Sequence, residues 1–182
     1  MIIFEGPDGG GKTTLAKAFA SLSGLPIAER VVSKEAKAMV DLKVWTEDNV
    51  DLGFQNMIFD RHRLISEFIY GPILRAEQEP GFDDISWVWR MTERFYALKP
   101  LIIYSIPPLE VVNANLANDD DNAEVYEWSG PIYTAYLQRA THDLLHYPEF
   151  TLLHDYTDGS TEESWAGLIL SMYNERLRRA AA

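Results

Sequence analysis

Short apolar runs alternate with longer amphipathic segments over most of the chain. The apolar runs predict β-strands at residues 1–4, 26–32, 56–59, 100–106 and 150–154. Apolar residues at helical spacing predict helices at residues 15–22, 34–42, 64–74, 85–98, 130–146 and 161–179, and Pro107-Pro108 opens a further one. Strands that alternate with helices are typical of an α/β fold, in which a parallel sheet carries helices on both faces.

The first apolar run leads directly into a glycine-rich segment. Its sequence is Gly6-Pro7-Asp8-Gly9-Gly10-Gly11-Lys12-Thr13-Thr14, a complete GxxxxGK[ST] phosphate loop between a strand and a helix. The four glycines leave the backbone free to turn its N–H groups onto phosphate oxygens. Lys12 then reaches the β- and γ-phosphates, and the Thr13 hydroxyl is a Mg²⁺ ligand. The loop predicts a P-loop NTPase fold, a three-layer sandwich around a parallel sheet of about five strands, which binds ATP and Mg²⁺.

A second charged segment follows the strand predicted at residues 56–59. It reads Asp60-Arg61-His62 and lies at the carboxyl end of a buried parallel strand, where open α/β sheets bind their ligands. Phosphoryl transfer between two anions needs positive charge to offset their repulsion and to align donor with acceptor. Lys12 and Arg61 are predicted to supply that charge from opposite sides.

Composition and charge fit one compact domain, residues 1–182, with a small ligand. The chain is 47% hydrophobic and has neither a long linker nor an internal repeat. Without cysteines, an export signal or a membrane-length apolar run, it is expected to be soluble and cytoplasmic, with no membrane partner. A net charge of −12 disfavours binding of long nucleic acids. Five clustered arginines indicate a local pocket for a phosphorylated small molecule: Arg61, Arg63, Arg75, Arg90 and Arg94.

The motifs resemble those of thymidylate kinases. Residues 4–14 resemble the FEGxDGxGK[ST]T opening of that family, residues 60–62 resemble its DR[YFH] motif, and residues 103–108 resemble its YLDVPP strand. The resemblance covers most of the chain in order and spacing. It implies an ATP-dependent nucleoside monophosphate kinase that forms a homodimer, with a short lid near residues 113–129.

The resemblance also implies roles for individual side chains. Lys12 and the loop amides would bind the donor phosphates, Thr13 would hold Mg²⁺, and Arg61 would bind the acceptor phosphate. Asp60 would organise the metal or the acceptor, and Asp8 would face one of the two. The helix after Arg61 is expected to add to the acceptor pocket, with Tyr70 or a nearby aromatic ring stacking on the base. The remaining candidates for that pocket are Arg75 and Arg94.

The chain departs from the thymidylate kinase pattern in three places. A loop of the REPGG type is absent, and Ser105 stands where the fourth strand usually has an aspartate. No Lys or Arg occurs between Lys99 and Arg139, so the lid lacks the arginine that normally meets the charge of the transition state. Arg139, Arg90 and Arg94 are the candidates to replace it.

These departures leave two other functions open. The acceptor could be a hydroxyl, such as that of 5-hydroxymethyluracil in DNA, as in phage kinases of base hypermodification that share this loop. DNA would then be the partner, although the acidic charge argues against it. The other alternative is a nucleotide-dependent switch or assembly ATPase, but the chain has no guanine-specificity motif such as NKxD.

Overall fold

A computed structural model of the chain describes residues 1–28, 42–51, 56–75, 84–118 and 123–181. The helix predicted at residues 34–42 lies outside these ranges apart from its last residue, as do residues 29–32 of the second predicted strand. The tip of the predicted lid, residues 119–122, also lies outside them.

A parallel four-stranded sheet forms the centre of the described structure. Its strands are β1 (Ile2–Glu5), β2 (Ile58–Asp60), β3 (Leu101–Ser105) and β4 (Thr151–His154), in the spatial order β2-β1-β3-β4. β1 and β3 are buried along their whole length, which explains why they read as continuous apolar runs rather than as alternating patterns. All carboxyl ends meet at one edge, so Glu5, Asp60, Ser105 and His154 end their strands there.

Residues 26–28 run beside β2 at the sheet edge. Ile27 forms a single parallel bridge with Ile58, where the Ala28 N–H donates to the Ile58 carbonyl at 2.7 Å. The Ile58 N–H donates in turn to the Pro26 carbonyl at 2.9 Å. The described residues therefore contain four strands and one bridge, and the expected fifth strand is not confirmed.

Helices cover both faces of the sheet. They are α1 (Lys12–Ser23), α2 (Leu42–Asp51), α3 (Arg63–Leu74), α4 (Ile85–Ala97), α5 (Leu109–Ala117), α6 (Ala123–Glu127), α7 (Ser129–His146) and α8 (Glu162–Ala181). Short 3₁₀ turns occupy Pro148–Phe150 and Tyr156–Asp158. α2 was not predicted, and its apolar residues are few and interrupted by polar ones. The other helices match the predicted ones or extend the predicted lid, and no described helix is long and apolar enough to cross a membrane.

The two helical layers are identified by their contacts with successive residues of β1. Phe4 points to one face and packs against Phe19 of α1 at a ring distance of 5.9 Å, and α1 in turn packs against α8. Glu5 points to the other face and accepts a hydrogen bond from Tyr136 of α7. Because side chains alternate along a strand, this order produces the three-layer sandwich that the sequence predicts.

Two tryptophans of α4 provide a matched test of where the core lies. Trp87 is fully buried, whereas Trp89 is 66% exposed. Trp87→Ala should lower the free energy of unfolding by about 3–5 kcal/mol, because it leaves a large cavity. Trp89→Ala should change it by no more than about 0.5 kcal/mol. Urea denaturation followed by circular dichroism measures both, and equal effects would contradict the burial described here.

Candidate active site

The phosphate loop closes tightly over the end of β3. It occupies residues 6–11 between β1 and α1, and Gly11, with a φ of 82°, is the N-cap of α1. Gly6 has a φ of 141°, and a Cβ at that position would lie 2.2 Å from the Ser105 carbonyl oxygen, so glycine is required there. The first N–H groups of α1 have no carbonyl partner within the helix, which suits this end of the loop to bind phosphate oxygens.

Two cations meet at the carboxylate of Asp8, a residue of the loop itself. Nη2 of Arg61 lies 2.6 Å from Oδ1 of Asp8, and Nζ of Lys12 lies 3.4 Å from the same oxygen. The side chains are largely buried, with exposed fractions of 11% for Arg61, 6% for Lys12 and 16% for Asp8. Burial disfavours the ionised form of Asp8, but attraction to Arg61 and Lys12 outweighs it and holds the pKa of this carboxyl well below its usual range. The two predicted cations are therefore neighbours.

The Tyr70 hydroxyl joins this group. It accepts from Nη2 of Arg61 at 2.7 Å and donates to Oδ2 of Asp8 at 3.0 Å. The Tyr70 ring is only 8% exposed, because the Arg61 guanidinium lies 4.6 Å from its centroid and the edge-packed ring of Tyr136 lies 6.0 Å away. The enclosed ring has little free surface, and it is the hydroxyl of Tyr70 that contacts Asp8 and Arg61.

Arg61 has a backbone conformation that residues with a side chain rarely adopt, with a φ of 75°. Its N–H donates to the Phe4 carbonyl at 2.9 Å, and the N–H of His62 donates to Oε1 of Glu5 at 2.6 Å. Glu5 is fully buried and also accepts from the Tyr136 hydroxyl at 3.0 Å. The end of β1 thus stabilises the strained conformation in which Arg61 reaches Asp8.

Thr13 and Asp60 form the pair that fits a divalent cation. The Thr13 hydroxyl donates to Oδ2 of Asp60 at 2.7 Å. The other carboxylate oxygen, Oδ1, is buried and finds no hydrogen-bond partner within the part of the chain that the structure describes. Hydroxyl and carboxylate oxygens are the ligands that Mg²⁺ prefers, and an unpaired buried carboxylate oxygen fits a cation. The residues present therefore fit the predicted Mg²⁺ ion.

Three polar residues that the sequence analysis did not assign to the site form hydrogen bonds that support the loop. They are Ser105, Asn115 and Tyr156. Nδ2 of Asn115 donates to the Gly9 carbonyl at 2.8 Å and to the Tyr156 hydroxyl at 2.7 Å. Oγ of Ser105 donates to the Gly10 carbonyl at 2.6 Å. Ser105 and Asn115 lie about a hundred residues from the loop in sequence and Tyr156 about 145, so no local pattern could have identified them. The YLDVPP resemblance singled out Ser105 only as a departure.

Other predicted residues lie in different surroundings. Arg75 pairs with Glu67, with Nη2 2.6 Å from each carboxylate oxygen. Thr14 is exposed on α1.

Two other arginines also lie away from the loop. Arg139 of α7 donates to Asp143 and to the Tyr96 hydroxyl, so its guanidinium belongs to a buried cluster. Arg94 lines an open cleft of about 440 Å³. The other residues lining that cleft are Glu47, Arg90, Met91 and Glu93.

Comparisons with known proteins place the fold but not the family. No protein-family model and no curated protein sequence matches the chain. Among solved structures, YorR of Bacillus subtilis in complex with phosphorylated GDP is similar with a TM-score of 0.71 at 19% identity, over 97% of each chain.

Deoxyadenosine kinase from M. mycoides is also similar in structure. With bound dCTP its TM-score is 0.60 at 15% identity, over 96% of this chain and 98% of the kinase. With bound dATP its TM-score is 0.59 at 15% identity, over 95% of this chain and 98% of the kinase. The predicted α/β sandwich is therefore confirmed as a fold shared with deoxyadenosine kinase from M. mycoides.

Glu5 provides a pH-dependent test of how the site is held. Burial raises the pKa of Glu5 from its ordinary value of 4.5 to about 7, although the His62 N–H and Arg61 partly oppose the shift. The folded protein then binds more protons than the unfolded chain between these values, so the contribution of Glu5 to stability is complete below pH 4.5 and is lost as the pH rises through about 7.

Glu5→Gln removes this titration while keeping the size and polarity of the side chain. Its free energy of unfolding relative to the wild type should rise between pH 5 and pH 8 by up to about 3 kcal/mol. Urea denaturation at a series of pH values measures the difference, with Glu175→Gln, at a side chain of α8 that is 46% exposed, as the matched control. A difference that does not change with pH would contradict the environment assigned to Glu5.

Proposed function

We propose that this protein is an ATP-dependent kinase that phosphorylates a deoxynucleoside monophosphate. The observation that carries the proposal is the meeting of Lys12 and Arg61 at one oxygen of Asp8, beside the phosphate loop. Two unit charges of the same sign about 4 Å apart repel by about 4 kcal/mol at an effective dielectric constant of about 20. Two anionic substrates can therefore approach each other only where cations offset this repulsion.

The donor side is formed by the loop, Lys12, Thr13 and Asp60. Lys12 and the N–H groups at the start of α1 bind and orient the β- and γ-phosphates. Thr13 and Asp60 would hold Mg²⁺, which neutralises charge on the donor phosphates when it is bound. The Thr13 hydroxyl and the Asp60 carboxylate, which are hydrogen-bonded to each other in this structure, would be the protein ligands of that cation.

The acceptor side is formed by Arg61, Asp8 and Tyr70. Arg61 is bound to Asp8 in this structure, so an acceptor phosphate competes with that carboxylate for the guanidinium. The low pKa of Asp8 makes it a weak base, poorly suited to take a proton from a hydroxyl group. An acceptor phosphate is already ionised at neutral pH and needs no base. This chemistry favours a nucleotide acceptor, with Asp8 and Asp60 as organising groups.

A second candidate is a kinase whose acceptor is a hydroxyl. It is supported by the fold shared with deoxyadenosine kinase. Its acceptor would be the hydroxyl of a nucleoside or, in a phage setting, that of 5-hydroxymethyluracil in DNA. Such a reaction requires a general base other than Asp8. A switch or assembly ATPase is a third alternative, and it would hydrolyse ATP without any acceptor.

We also propose a homodimer and a cytoplasmic location. The homodimer rests on the resemblance to thymidylate kinases, and the cytoplasmic location rests on the lack of cysteine. Analytical ultracentrifugation of the purified protein tests the homodimer, and fractionation of the producing cells tests the location.

A transfer assay across acceptors decides between the functions. The protein is incubated with labelled ATP, Mg²⁺ and, separately, each deoxynucleoside monophosphate, each deoxynucleoside, plain DNA and DNA containing 5-hydroxymethyluracil. We expect label on at least one monophosphate and on neither DNA, with Lys12→Ala as the inactive control. Label only in a nucleoside or in the modified DNA would support the second candidate instead. If phosphate is released from ATP at a rate that none of the acceptors changes, the result would support the ATPase.

Arg61→Ala should separate the two substrates kinetically. We expect the KM of the acceptor to rise about 10- to 100-fold, because a hydrogen bond to a charged group contributes about 1.5–3 kcal/mol. The KM of ATP should change much less, and Arg61→Lys should recover part of the loss. Arg178→Ala, a surface arginine on α8, is the control. Unchanged acceptor binding in Arg61→Ala by calorimetry would refute the role given to Arg61.

A further inference from the structure

The carbonyl group of Gly10 in the phosphate loop is held by two side chains, hydrogen-bonded in series, from the carboxyl ends of β3 and β4. Oγ of Ser105 lies 2.6 Å from the Gly10 oxygen and 2.7 Å from Nδ1 of His154. Ser105 and His154 are register partners at the carboxyl ends of β3 and β4. The sheet therefore places this hydroxyl between the loop and the imidazole.

The direction of these two hydrogen bonds follows from the number of available protons. The Ser105 hydroxyl has one proton, and the Gly10 carbonyl can only accept, so that proton lies on the contact with Gly10. The hydroxyl must then accept from Nδ1 of His154, which requires the tautomer with the proton on Nδ1. If the Ser105 hydroxyl donated to His154 instead, its oxygen and the Gly10 carbonyl oxygen would lie 2.6 Å apart without a proton between them.

The same hydrogen bond sets the direction of an amide in the loop. The Gly10 carbonyl and the Gly11 N–H belong to one planar trans peptide group and point in opposite directions. Because Ser105 holds the carbonyl towards β3, the Gly11 N–H is directed away from the sheet end. Loop N–H groups bind phosphate only when several of them converge, so fixing this one peptide helps to form the donor site before ATP binds.

His154 is itself held firmly. It is 2% exposed, its carbonyl accepts from the Ile106 N–H at 2.9 Å, and the edge-packed ring of Trp165 lies 5.0 Å from its own. Burial also lowers the pKa of His154, in keeping with a neutral ring. Its Nε2 has no hydrogen-bond partner among the described residues, as expected for the bare nitrogen of the Nδ1-protonated tautomer.

We propose that His154 is a positioning residue for the donor phosphates, acting through Ser105 on the Gly10–Gly11 peptide. The inference rests on the proposed function, because it assigns the loop to a nucleoside triphosphate. It adds a residue that lies about 140 positions from the loop and outside every motif of the chain. It also gives a role to Ser105, which replaces the aspartate of the resembling family.

The first test measures binding of a non-hydrolysable ATP analogue with Mg²⁺ by calorimetry, which needs no acceptor. His154→Leu removes the Nδ1 donor and should weaken binding about 5- to 10-fold, as expected for loss of one hydrogen bond. His154→Asn places an amide N–H near the position of Nδ1 and should bind within about twofold of the wild type. His146→Leu on the surface of α7 is the control and should bind as the wild type does.

A double-mutant cycle tests whether His154 acts through Ser105. Ser105→Ala should weaken binding at least as much as His154→Leu, and adding His154→Leu to Ser105→Ala should weaken it no further. The KM of the acceptor should stay unchanged in all of these variants. Additive losses, or a loss that follows only the melting temperature, would show that His154 is merely a packing residue.

Long-range ¹H–¹⁵N NMR of the imidazole provides a readout independent of binding. We expect the proton of His154 on Nδ1 in the wild type and a loss of that preference in Ser105→Ala. A proton on Nε2 in the wild type would overturn the inference. So would wild-type affinity in His154→Leu. If instead the wild-type protein does not bind the analogue at all, the proposed function fails, and the positioning role fails with it.

Discussion

The contact of Asp8 with both Lys12 and Arg61 is the interaction on which the site depends. Two cations that are almost wholly buried would repel each other and lose hydration, so they can lie side by side only with a carboxylate between them. Asp8 supplies it from within the phosphate loop, and the Tyr70 hydroxyl binds both Asp8 and Arg61. In the proposed reaction, an incoming phosphate would meet positive charge already assembled there and would have to replace one carboxylate rather than gather two distant side chains.

The sheet holds this group through the ends of its strands. β1 contributes the Phe4 carbonyl and the buried Glu5 carboxylate, which bind successive N–H groups at Arg61 and His62 and so stabilise a φ of 75°. β3 contributes Ser105, which binds the loop carbonyl of Gly10. The loop segments of the candidate site are thus fixed by hydrogen bonds to the ends of rigid strands.

The resemblance to thymidylate kinases and the structure agree on the donor side more closely than on the acceptor side. The loop, Lys12 and the Thr13–Asp60 pair lie together as the motifs predict. Arg75 is paired with Glu67, and Arg94 lines a separate cleft, so the expected acceptor residues are not gathered in one place. Arg139 is held by Tyr96 and Asp143, which makes it a poor substitute for the missing lid arginine. Arg61, in contrast, contacts the loop directly through Asp8.

The sequence by itself determined the features that depend on neighbouring residues: the phosphate loop, its place between a strand and a helix, the Asp60-Arg61 pair after a buried strand, and the alternation that makes a parallel sheet. Local spacing decides these, because a loop or an amphipathic helix is built from consecutive residues. Only the tertiary structure decided that Tyr70 offers its hydroxyl to Asp8, that Glu5 holds the backbone after Arg61, and that Ser105 and His154 support the loop. Those partners lie about fifty to a hundred and forty residues apart, and strand order and register bring them together through non-local packing that no short pattern encodes.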